Sequence, residues 1–266
     1  MNRPAMIRPE AMLRVVGIGP GDAALLTPQA RAALEDARVV VGYRLYLDCL
    51  PPDLLAGKEV ISTGMMGEME RCRAAIDAAT AGRSTAVVSS GDAGVYGMAG
   101  LVLELLDERD ATRALDVEVV AGVPALAAGA ALLGAPLMHD FAVISLSDLL
   151  TPWEVIEKRI DAAAGADFAL AIYNPRSRRR DWQLPRALEL VRRHRAPHTP
   201  VGVVRQAFRP EQATRVCTLD VFDPATVDML SIVFIGNSAT RIMAGRMVTP
   251  RGYLAKYGDK PAPSTD

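Results

Sequence analysis

The sequence predicts an α/β protein built from two domains, and three observations support this prediction. Short runs of β-branched residues alternate with longer Ala- and Leu-rich stretches of helical period along the 266-residue chain. The strands of the first half are apolar on both faces, which is typical of a parallel sheet covered by helices. Beyond residue 122, two late strands are joined by a short, loop-rich connection, which indicates a more antiparallel, mixed sheet.

The first domain is expected at residues 13–121, where strands and helices alternate. Its predicted strands are Arg14–Ile18, Val39–Val41, Glu59–Ser62, Thr85–Ser89 and Val117–Val120. Its predicted helices are Pro28 to about Asp36, a short one near Tyr46–Leu50, Glu68–Ala81 and Met98–Glu108. The start of the first helix is well marked, because Thr27 is a capping residue and Pro28 suits the first turn.

The second domain is expected at residues 122–254. Its predicted helices are Ala125–Leu133, Trp153–Ala164 and Leu184–His194. Its predicted strands are Ala142–Ser145, Phe168–Tyr173, Val201–Val204, Thr214–Leu219 and Ser231–Ile235. Residues 1–12 and 258–266 lack apolar periodicity, and we expect them to be disordered.

Composition excludes several classes of protein. With 30 basic and 31 acidic side chains the formal net charge is −1, which gives no electrostatic basis for binding nucleic acid or a membrane surface. The three cysteines show no metal-ligand spacing and no disulfide pattern, so we expect no metal site and a reducing, cytoplasmic location. No apolar run approaches the ~20 residues needed to span a bilayer, and because Met1–Met12 lacks an apolar core we do not expect it to act as a secretory signal.

A glycine-rich turn follows the first strand at Gly17–Asp22 and superficially suggests a dinucleotide-binding loop. The third glycine of that motif would fall on Asp22, and Pro20 removes a backbone N–H that a phosphate would need. No acidic residue ends the second strand to hold a ribose, and no P-loop motif is present. The dinucleotide interpretation is therefore disfavoured, and a tight turn solvated by Asp22 remains the alternative.

Three more loops of small or turn-forming residues follow strands: Ser89–Gly97, Ala121–Ala125 and Tyr173–Arg176. Open α/β sheets bind ligands at the carboxyl ends of their strands, and glycine allows a ligand to approach the backbone. Within the first of these loops, Asp92 is expected either to accept from a ribose hydroxyl or an amino group, or to cap the next helix. Together the loops indicate a ligand site more specifically than any of them does alone.

These motifs resemble those of a known family. GIGPGD, SGDAGVYG, GVPA and the YNP of the second domain are similar to motifs of the tetrapyrrole (class III) S-adenosylmethionine methyltransferases of cobalamin biosynthesis. The segment His139–Trp153, together with YNPRS and IGNS, narrows the resemblance to the precorrin-3B C17-methyltransferase branch. The resemblance extends from Leu13 to Tyr253 and implies a cofactor trough between the two domains.

The resemblance also implies which residues contact S-adenosylmethionine. They fall on the four loops and on one later position: Pro20, Ser90, Gly91, Asp92, Val95, Pro124, Ala125, Asn174 and Ala207. Two positions depart from the usual pattern, because Pro124 stands where a threonine is common and Ala93 where a proline is common. Backbone contacts survive both changes, so affinity rather than function is affected.

The resemblance implies a reaction that includes a proton transfer and a tetrapyrrole substrate that carries carboxylates, and both point to further residues. A proton acceptor is expected at Asp22, the preferred candidate, or at His139. Arg176 and Arg178 are expected to bind substrate carboxylates, because a guanidinium donates a bidentate fork to such groups. Asp148 is expected either to cap the helix that follows it or to line the substrate pocket.

The resemblance implies methyl transfer from S-adenosylmethionine to carbon 17 of precorrin-3B, with ring contraction to precorrin-4 and S-adenosylhomocysteine as co-product. It also implies a homodimer. Three alternatives stay open: cobalt-factor III as substrate, a methyltransferase of the same class acting on RNA or protein, and a non-catalytic nucleoside-binding protein. The near-neutral charge argues against RNA, and an assay with labelled cofactor distinguishes the others.

Overall fold

The computed structural model describes residues 12–109, 115–177 and 180–258. The chain divides into two compact units, of which the first ends at Ala125 and the second begins at Leu126. The sequence-based boundary lies slightly earlier, between residues 121 and 122. The disorder expected at both termini concerns mainly residues outside the described ranges, but Met12 was assigned to it wrongly, because Met12 begins the first strand and is buried.

The first unit alternates strands with helices. Its strands are β1 (Met12–Gly17), β2 (Val39–Tyr43), β3 (Glu59–Thr63), β4 (Thr85–Ser89) and β5 (Asp116–Val120). Its helices are α1 (Pro28–Asp36), α2 (Arg44–Leu47), α3 (Glu68–Thr80) and α4 (Ala99–Glu108), with 3₁₀ turns at Ala23–Leu25 and Pro52–Leu54. The predicted cap of α1 is present, because the Thr27 hydroxyl accepts from the Ala30 N–H at 3.1 Å.

The five strands of this unit form one parallel sheet in the order β3-β2-β4-β1-β5. Val15 and Val87 are paired and pack with residues of α3 and α4 in one hydrophobic cluster. Val16 and Val88, one position further along, belong to a second cluster that contains Leu34 of α1. Successive side chains of a strand point to opposite faces, so both faces are buried and the predicted parallel α/β sheet is confirmed.

The second unit begins with α5 (Ala125–Leu133), whose first residue is the last of unit one. Its strands are β6 (Gly134–Ala135), β7 (Phe141–Ser145), β8 (Ala169–Tyr173), β9 (Pro200–Arg205), β10 (Ala213–Thr218), β11 (Ser231–Ile235), β12 (Arg241–Met243) and β13 (Arg246–Val248). Its remaining helices are α6 (Trp153–Gly165), α7 (Gln183–Arg192) and α8 (Tyr253–Tyr257), with a 3₁₀ turn at Pro224–Thr226.

The main sheet of the second unit has the order β10-β9-β11-β8-β7. Strands β7 and β8 are parallel, while every other neighbouring pair is antiparallel. The sequence predicted such a mixed, more antiparallel sheet but not the direction of each pair. Because β9 and β8 both run antiparallel to β11, the carboxyl ends of β7, β8 and β9 lie at one edge. Sequence reasoning missed β6, β12, β13 and α8, which are too short to show a period.

Residues of α6 and α7 pack against one face of this sheet, where Ile160, Leu188 and Ile172 are fully buried. Among the residues that the structure describes, no helix is long and apolar enough to cross a membrane.

Candidate active site

Three loops of the first unit meet at the carboxyl edge of its parallel sheet. We call them loop A (18–22, after β1), loop B (90–98, after β4) and loop C (121–124, after β5). Loops A and B are joined by backbone pairing, since the Gly19 and Gly91 N–H groups each donate to the other's carbonyl, at 3.0 and 2.7 Å. The Ile18 N–H donates to the Ser89 carbonyl at 2.9 Å and continues this pairing back to the strand.

Glycine is required where the three loops touch. A Cβ atom added to Gly122 would lie 2.1 Å from the Gly91 carbonyl oxygen and 2.6 Å from the Gly17 carbonyl carbon. A Cβ atom on Gly17 would lie 2.7 Å from the Gly122 nitrogen. Gly19 and Gly91 have φ values of +74° and +69°, a region that side chains with a Cβ rarely adopt. These glycines therefore let the loops pack backbone against backbone.

Asp92 ties loop B to loop C. Its Oδ2 accepts from the Gly122 N–H at 2.9 Å, and its Oδ1 accepts from the Gly94 N–H at 2.8 Å. The expectation that Asp92 caps the next helix is wrong, because α4 has Met98 at its N-cap position with no side-chain cap. Because each oxygen of this carboxylate accepts a backbone N–H, Asp92 holds the two loops in register and fixes the backbone around it.

Asp22 ends loop A and is exposed. Its Oδ1 accepts from the Ala24 N–H at 2.8 Å and caps the short 3₁₀ turn Ala23–Leu25. Because this turn and Thr27 intervene before α1, loop A does not lead directly into the N-terminus of a long helix, as a dinucleotide loop would. Within the described residues, Oδ2 of Asp22 makes no hydrogen bond of its own and stays open to solvent.

The structure brings together all the cofactor positions expected in the first unit, which lie on loops A to C or directly after them: Pro20, Ser90, Gly91, Asp92, Val95, Pro124 and Ala125. Gly94 marks the open side of loop B, because an added Cβ would meet only Asp92 Oδ1 within 4 Å, at 3.3 Å. Small residues and exposed backbone at a strand-end edge suit a nucleoside ligand.

Asn174 and Ala207 lie at the shared carboxyl edge of β8 and β9 in the second unit. Asn174 has a φ of +50°, and its Nδ2 donates to the hydroxyl of Ser145 at the end of β7, at 2.9 Å. Ala207 lies between Gln206 and Phe208, which both have positive φ values. Sequence reasoning missed Ser145, although strand pairing places it beside Tyr173 and so next to Asn174.

Arg176 lines a cavity of about 520 Å³ in the second unit, whose other lining residues are Ser177, Asp181, Val227, Asp228, Met229 and Leu230. One nitrogen of Arg176 donates to the Ala225 carbonyl at 2.6 Å. Burial alone would raise the pKa of Asp228, but hydrogen bonds from Arg205 and Ser231 outweigh burial and lower it. The cavity rim therefore combines an arginine with an ionised carboxylate.

Arg178 lies outside the described residues. Asp148 is exposed, and its Oδ2 accepts from Gln183 of α7 at 2.9 Å. Of the two roles expected for Asp148, the helix cap is wrong, because α6 begins after Pro152 with no side-chain cap. Gln183 is a partner that sequence reasoning missed, since nothing in the local pattern links residues 35 apart.

His139 is exposed and precedes β7, so it lies at the amino edge of that strand, opposite the edge that carries Asn174. The five residues of β7 separate the two edges by about 15 Å at ~3.3 Å per residue. Burial would raise the pKa of nearby Asp167, but hydrogen bonds from Ser238, with electrostatic contributions from Arg195 and His139, lower it. His139 is thus grouped with Asp167 and not with the residues expected to bind ligands.

Comparisons with known proteins agree with this architecture. The sequence profile of the Tetrapyrrole (Corrin/Porphyrin) Methylases matches residues 12–223. The chain belongs to the tetrapyrrole methylase family. The sequence-based expectation of a methyltransferase of this family is confirmed, and the three loops of the first unit lie inside the matched region.

Two relatives of this tetrapyrrole methylase are similar over almost their whole length. The probable cobalt-factor III C(17)-methyltransferase of Salmonella typhimurium is 53% identical, with 91% of this chain and 99% of the relative covered. The precorrin-3B C(17)-methyltransferase of a Sinorhizobium species is 40% identical, with 91% and 96% covered.

Two solved structures show the same fold. The crystal structure of the methyltransferase CobJ superposes with a TM-score of 0.86 at 40% identity, covering 90% of this chain and all of that one. A uroporphyrin-III C-methyltransferase from Thermus thermophilus, complexed with S-adenosylhomocysteine, superposes with a TM-score of 0.62 at 26% identity, covering 85% and 97%.

Proposed function

We propose that this tetrapyrrole methylase transfers a methyl group from S-adenosylmethionine to carbon 17 of precorrin-3B, with ring contraction to precorrin-4. The observation that carries methyl transfer to carbon 17 is the identity, over nearly the full length of both chains, to two relatives named for it, and the 40% identical relative is named for precorrin-3B. Cobalt-factor III is the second candidate substrate, favoured by the 53% identity to a relative named for it. The carbon that receives the methyl group is the same in both names.

We propose that loops A to C hold S-adenosylmethionine, with Asn174 and Ala207 as further contacts. Three features of these loops suit the cofactor. Their small residues are half-buried, the Asp92 carboxylate fixes the backbone of loop C, and little protein lies around the position of a Gly94 side chain. Bound there, the cofactor supplies a methyl group on a sulfonium, which is already a strong electrophile. The protein therefore contributes mainly by holding the reacting groups in line, a proximity effect.

We propose Asp22 as the group that takes a proton from the substrate during ring contraction. Its Oδ1 is fixed by the Ala24 N–H, which orients the carboxylate, while Oδ2 remains available to a ligand. A positioned carboxylate base contributes a factor of about 10²–10⁴ to a rate. Asp22→Asn keeps the cap oxygen and removes the basic one, so kcat should fall by about that factor while S-adenosylhomocysteine binds as before.

We propose that Arg176 binds a substrate carboxylate, because precorrins carry acetate and propionate groups and Arg176 lies on the 520 Å³ cavity. Asp148 and Arg178 belong to the same proposal as substrate-binding residues. Since the net charge is only −1, attraction of a polyanion must come from such local cations.

The cofactor site is tested by filling the space above loop B. Gly94→Arg should abolish binding of S-adenosylhomocysteine in calorimetry and lower the melting temperature by only a few degrees, because the added Cβ meets Asp92 Oδ1 at 3.3 Å but no backbone atom. Gly100→Arg is the matched control, since Gly100 is exposed on α4 and its added Cβ meets nothing within 4 Å. Full binding by the Gly94 variant would place the cofactor elsewhere.

The reaction itself is tested with methyl-labelled S-adenosylmethionine and precorrin-3B, cobalt-factor III or RNA in parallel. Label in precorrin-3B, with a product mass that fits the contracted ring, is the expected result. Label only in cobalt-factor III would select the second candidate, and label in RNA or in no acceptor would refute the proposal.

We also propose that the protein acts in the cytoplasm as a homodimer. The free thiols of Cys49, Cys72 and Cys217 are compatible with a reducing compartment, and burial raises the pKa of Cys72 to about 11, which keeps that thiol protonated. A sedimentation mass close to that of one 28.4 kDa chain at working concentrations would refute the dimer.

A further inference from the structure

Two arginines of the second unit, Arg195 buried and Arg180 partly buried, differ in how their guanidinium groups are satisfied. The Arg195 side chain is 3% exposed, and its guanidinium donates to the main-chain carbonyls of Gly236, Ala164 and Phe168 at 2.7–3.1 Å. Asp167 lies 3.3 Å from it and balances its charge. Such an arginine is a structural element, because every side of the buried cation has a partner.

Arg180 lacks comparable partners. Its Nε is buried without any hydrogen-bond acceptor, and its guanidinium makes no hydrogen bond to any residue in the described part of the chain. Burial lowers the pKa of Arg180, and the one charge that counteracts burial is the carboxylate of Asp148. A guanidinium carries five N–H donors, so this cation is both partly desolvated and unsatisfied.

The neighbours of Arg180 do not supply acceptors for its free N–H donors. Asp148 attracts the cation without hydrogen-bonding it, and one Asp148 oxygen accepts from Gln183 Nε2 at 2.9 Å. Gln183 is 2% exposed, and its own Oε1 is also buried with no donor. Native proteins pair nearly all buried polar atoms, so two orphaned atoms within four residues indicate a partner that the described residues do not supply.

The location of Arg180 suggests what its partner is. Ser177 and Asp181 line the 520 Å³ cavity, and Arg180 lies between them in the chain, paired through its backbone with Ser177 at 2.8 and 3.2 Å. Arg180 is only partly buried, so a ligand can approach it from solvent. A planar guanidinium with free donors matches a carboxylate better than any neutral group.

We propose that Arg180 binds an acetate or propionate carboxylate of the tetrapyrrole substrate, in addition to the residues expected from the sequence. The inference rests on the proposed function for its choice of ligand, but not for the presence of an anion site. It also explains the missing hydrogen bonds, because the substrate supplies an acceptor that the described residues do not provide.

The two tryptophans of the chain provide a direct probe. Trp153 and Trp182 are in contact, with ring centroids 4.8 Å apart, and Trp182 is half exposed, two residues from Arg180. Titration with uroporphyrin, which carries acetate and propionate groups, should quench their fluorescence. A porphyrin with cationic side chains serves as the ligand control and should bind at least tenfold more weakly.

Arg180→Gln is expected to raise the Kd for uroporphyrin about tenfold or more, the size of one charge-assisted contact. Its melting temperature without ligand should equal or exceed that of the wild type, since an unpaired charge is removed. Arg193→Gln is the matched control, with the same charge change at an exposed position at the end of α7, and should bind as the wild type does.

Three results would overturn the proposal: unchanged uroporphyrin binding by Arg180→Gln, no binding by the wild type, or a melting temperature several degrees lower, which would make Arg180 a structural arginine. Weakened uroporphyrin binding in a protein that methylates no tetrapyrrole would support the anion site while the proposed function fails. Methyl transfer with an unchanged substrate KM in the variant would refute the Arg180 proposal and would leave the proposed methyltransferase function supported.

Discussion

The contact between loops A, B and C can be tested with one methyl group at Gly122. In Gly122→Ala the new Cβ would lie 2.1 Å from the Gly91 carbonyl oxygen, almost 1 Å inside the 3.0 Å that real Cβ atoms respect. The obstructing atoms belong to the backbones of Gly91 and Gly17, which cannot turn aside as a side chain can. Loop C must therefore move outward, away from Asp92.

Two costs combine in this variant. Forcing an extra carbon into a packed site costs about 1–3 kcal/mol, and displacing the Gly122 N–H from the Asp92 carboxylate forfeits a charge-assisted hydrogen bond of about 1.5–3 kcal/mol. Taking about 3 kcal/mol as the total, the melting temperature should fall by about 6–12 °C, at 2–4 °C per kcal/mol. The affinity for S-adenosylhomocysteine should fall by at least tenfold, since about 1.4 kcal/mol is a factor of ten.

Gly100→Ala makes the same chemical change where nothing lies within 4 Å of the new Cβ. Because alanine is better than glycine inside a helix, this control should stabilise α4 by about 0.5–1 kcal/mol and leave ligand binding intact. Scanning calorimetry and ligand titration of both variants give the comparison. A Gly122→Ala protein that melts and binds like the wild type would show that the loops do not depend on this close approach.

Three further predictions concern polar groups. Asp92→Ala should destabilise the first unit by about 2–4 kcal/mol and Asp92→Asn by less, because asparagine keeps one of the two acceptors; urea unfolding that ranks them otherwise would contradict the bridging role. Arg195→Met should lower the free energy of unfolding by about 3–5 kcal/mol, since it leaves several buried carbonyls and Asp167 without their partner; a change below about 1 kcal/mol would contradict this. The pKa of Asp167 is lowered in the folded state, so its stabilisation is present above the unfolded pKa near 3.9 and is lost as the pH falls through the folded value. Asp167→Asn, which tolerates the φ of +62°, should flatten this acid-induced loss, and an unchanged pH profile would rule the contribution out.

The sequence by itself determined the alternation of elements and much of the ligand edge. Runs such as Thr85–Ser89 are apolar on both faces, so they had to become buried parallel strands, and Thr27 with Pro28 fixed the start of α1. Because carboxyl ends of parallel strands share an edge, the sequence alone groups the loops containing Gly19, Gly91 and Gly122. The family motifs lie in these same loops.

The tertiary structure alone decided what individual side chains do. Asp92 has the local sequence of a helix cap, but its partner Gly122 is 30 residues away, and that pairing depends on the order of strands in the sheet. The sequence analysis assigned both His139 and Asn174 to the ligand site. In the structure the two residues lie at opposite edges of the same sheet, because the directions of paired strands are not encoded locally. Arg195 donates to several carbonyls, whereas the buried Nε of Arg180 has no acceptor among the described residues. This difference is equally invisible in the sequence, since the hydrogen-bond partners of a buried side chain come from distant segments.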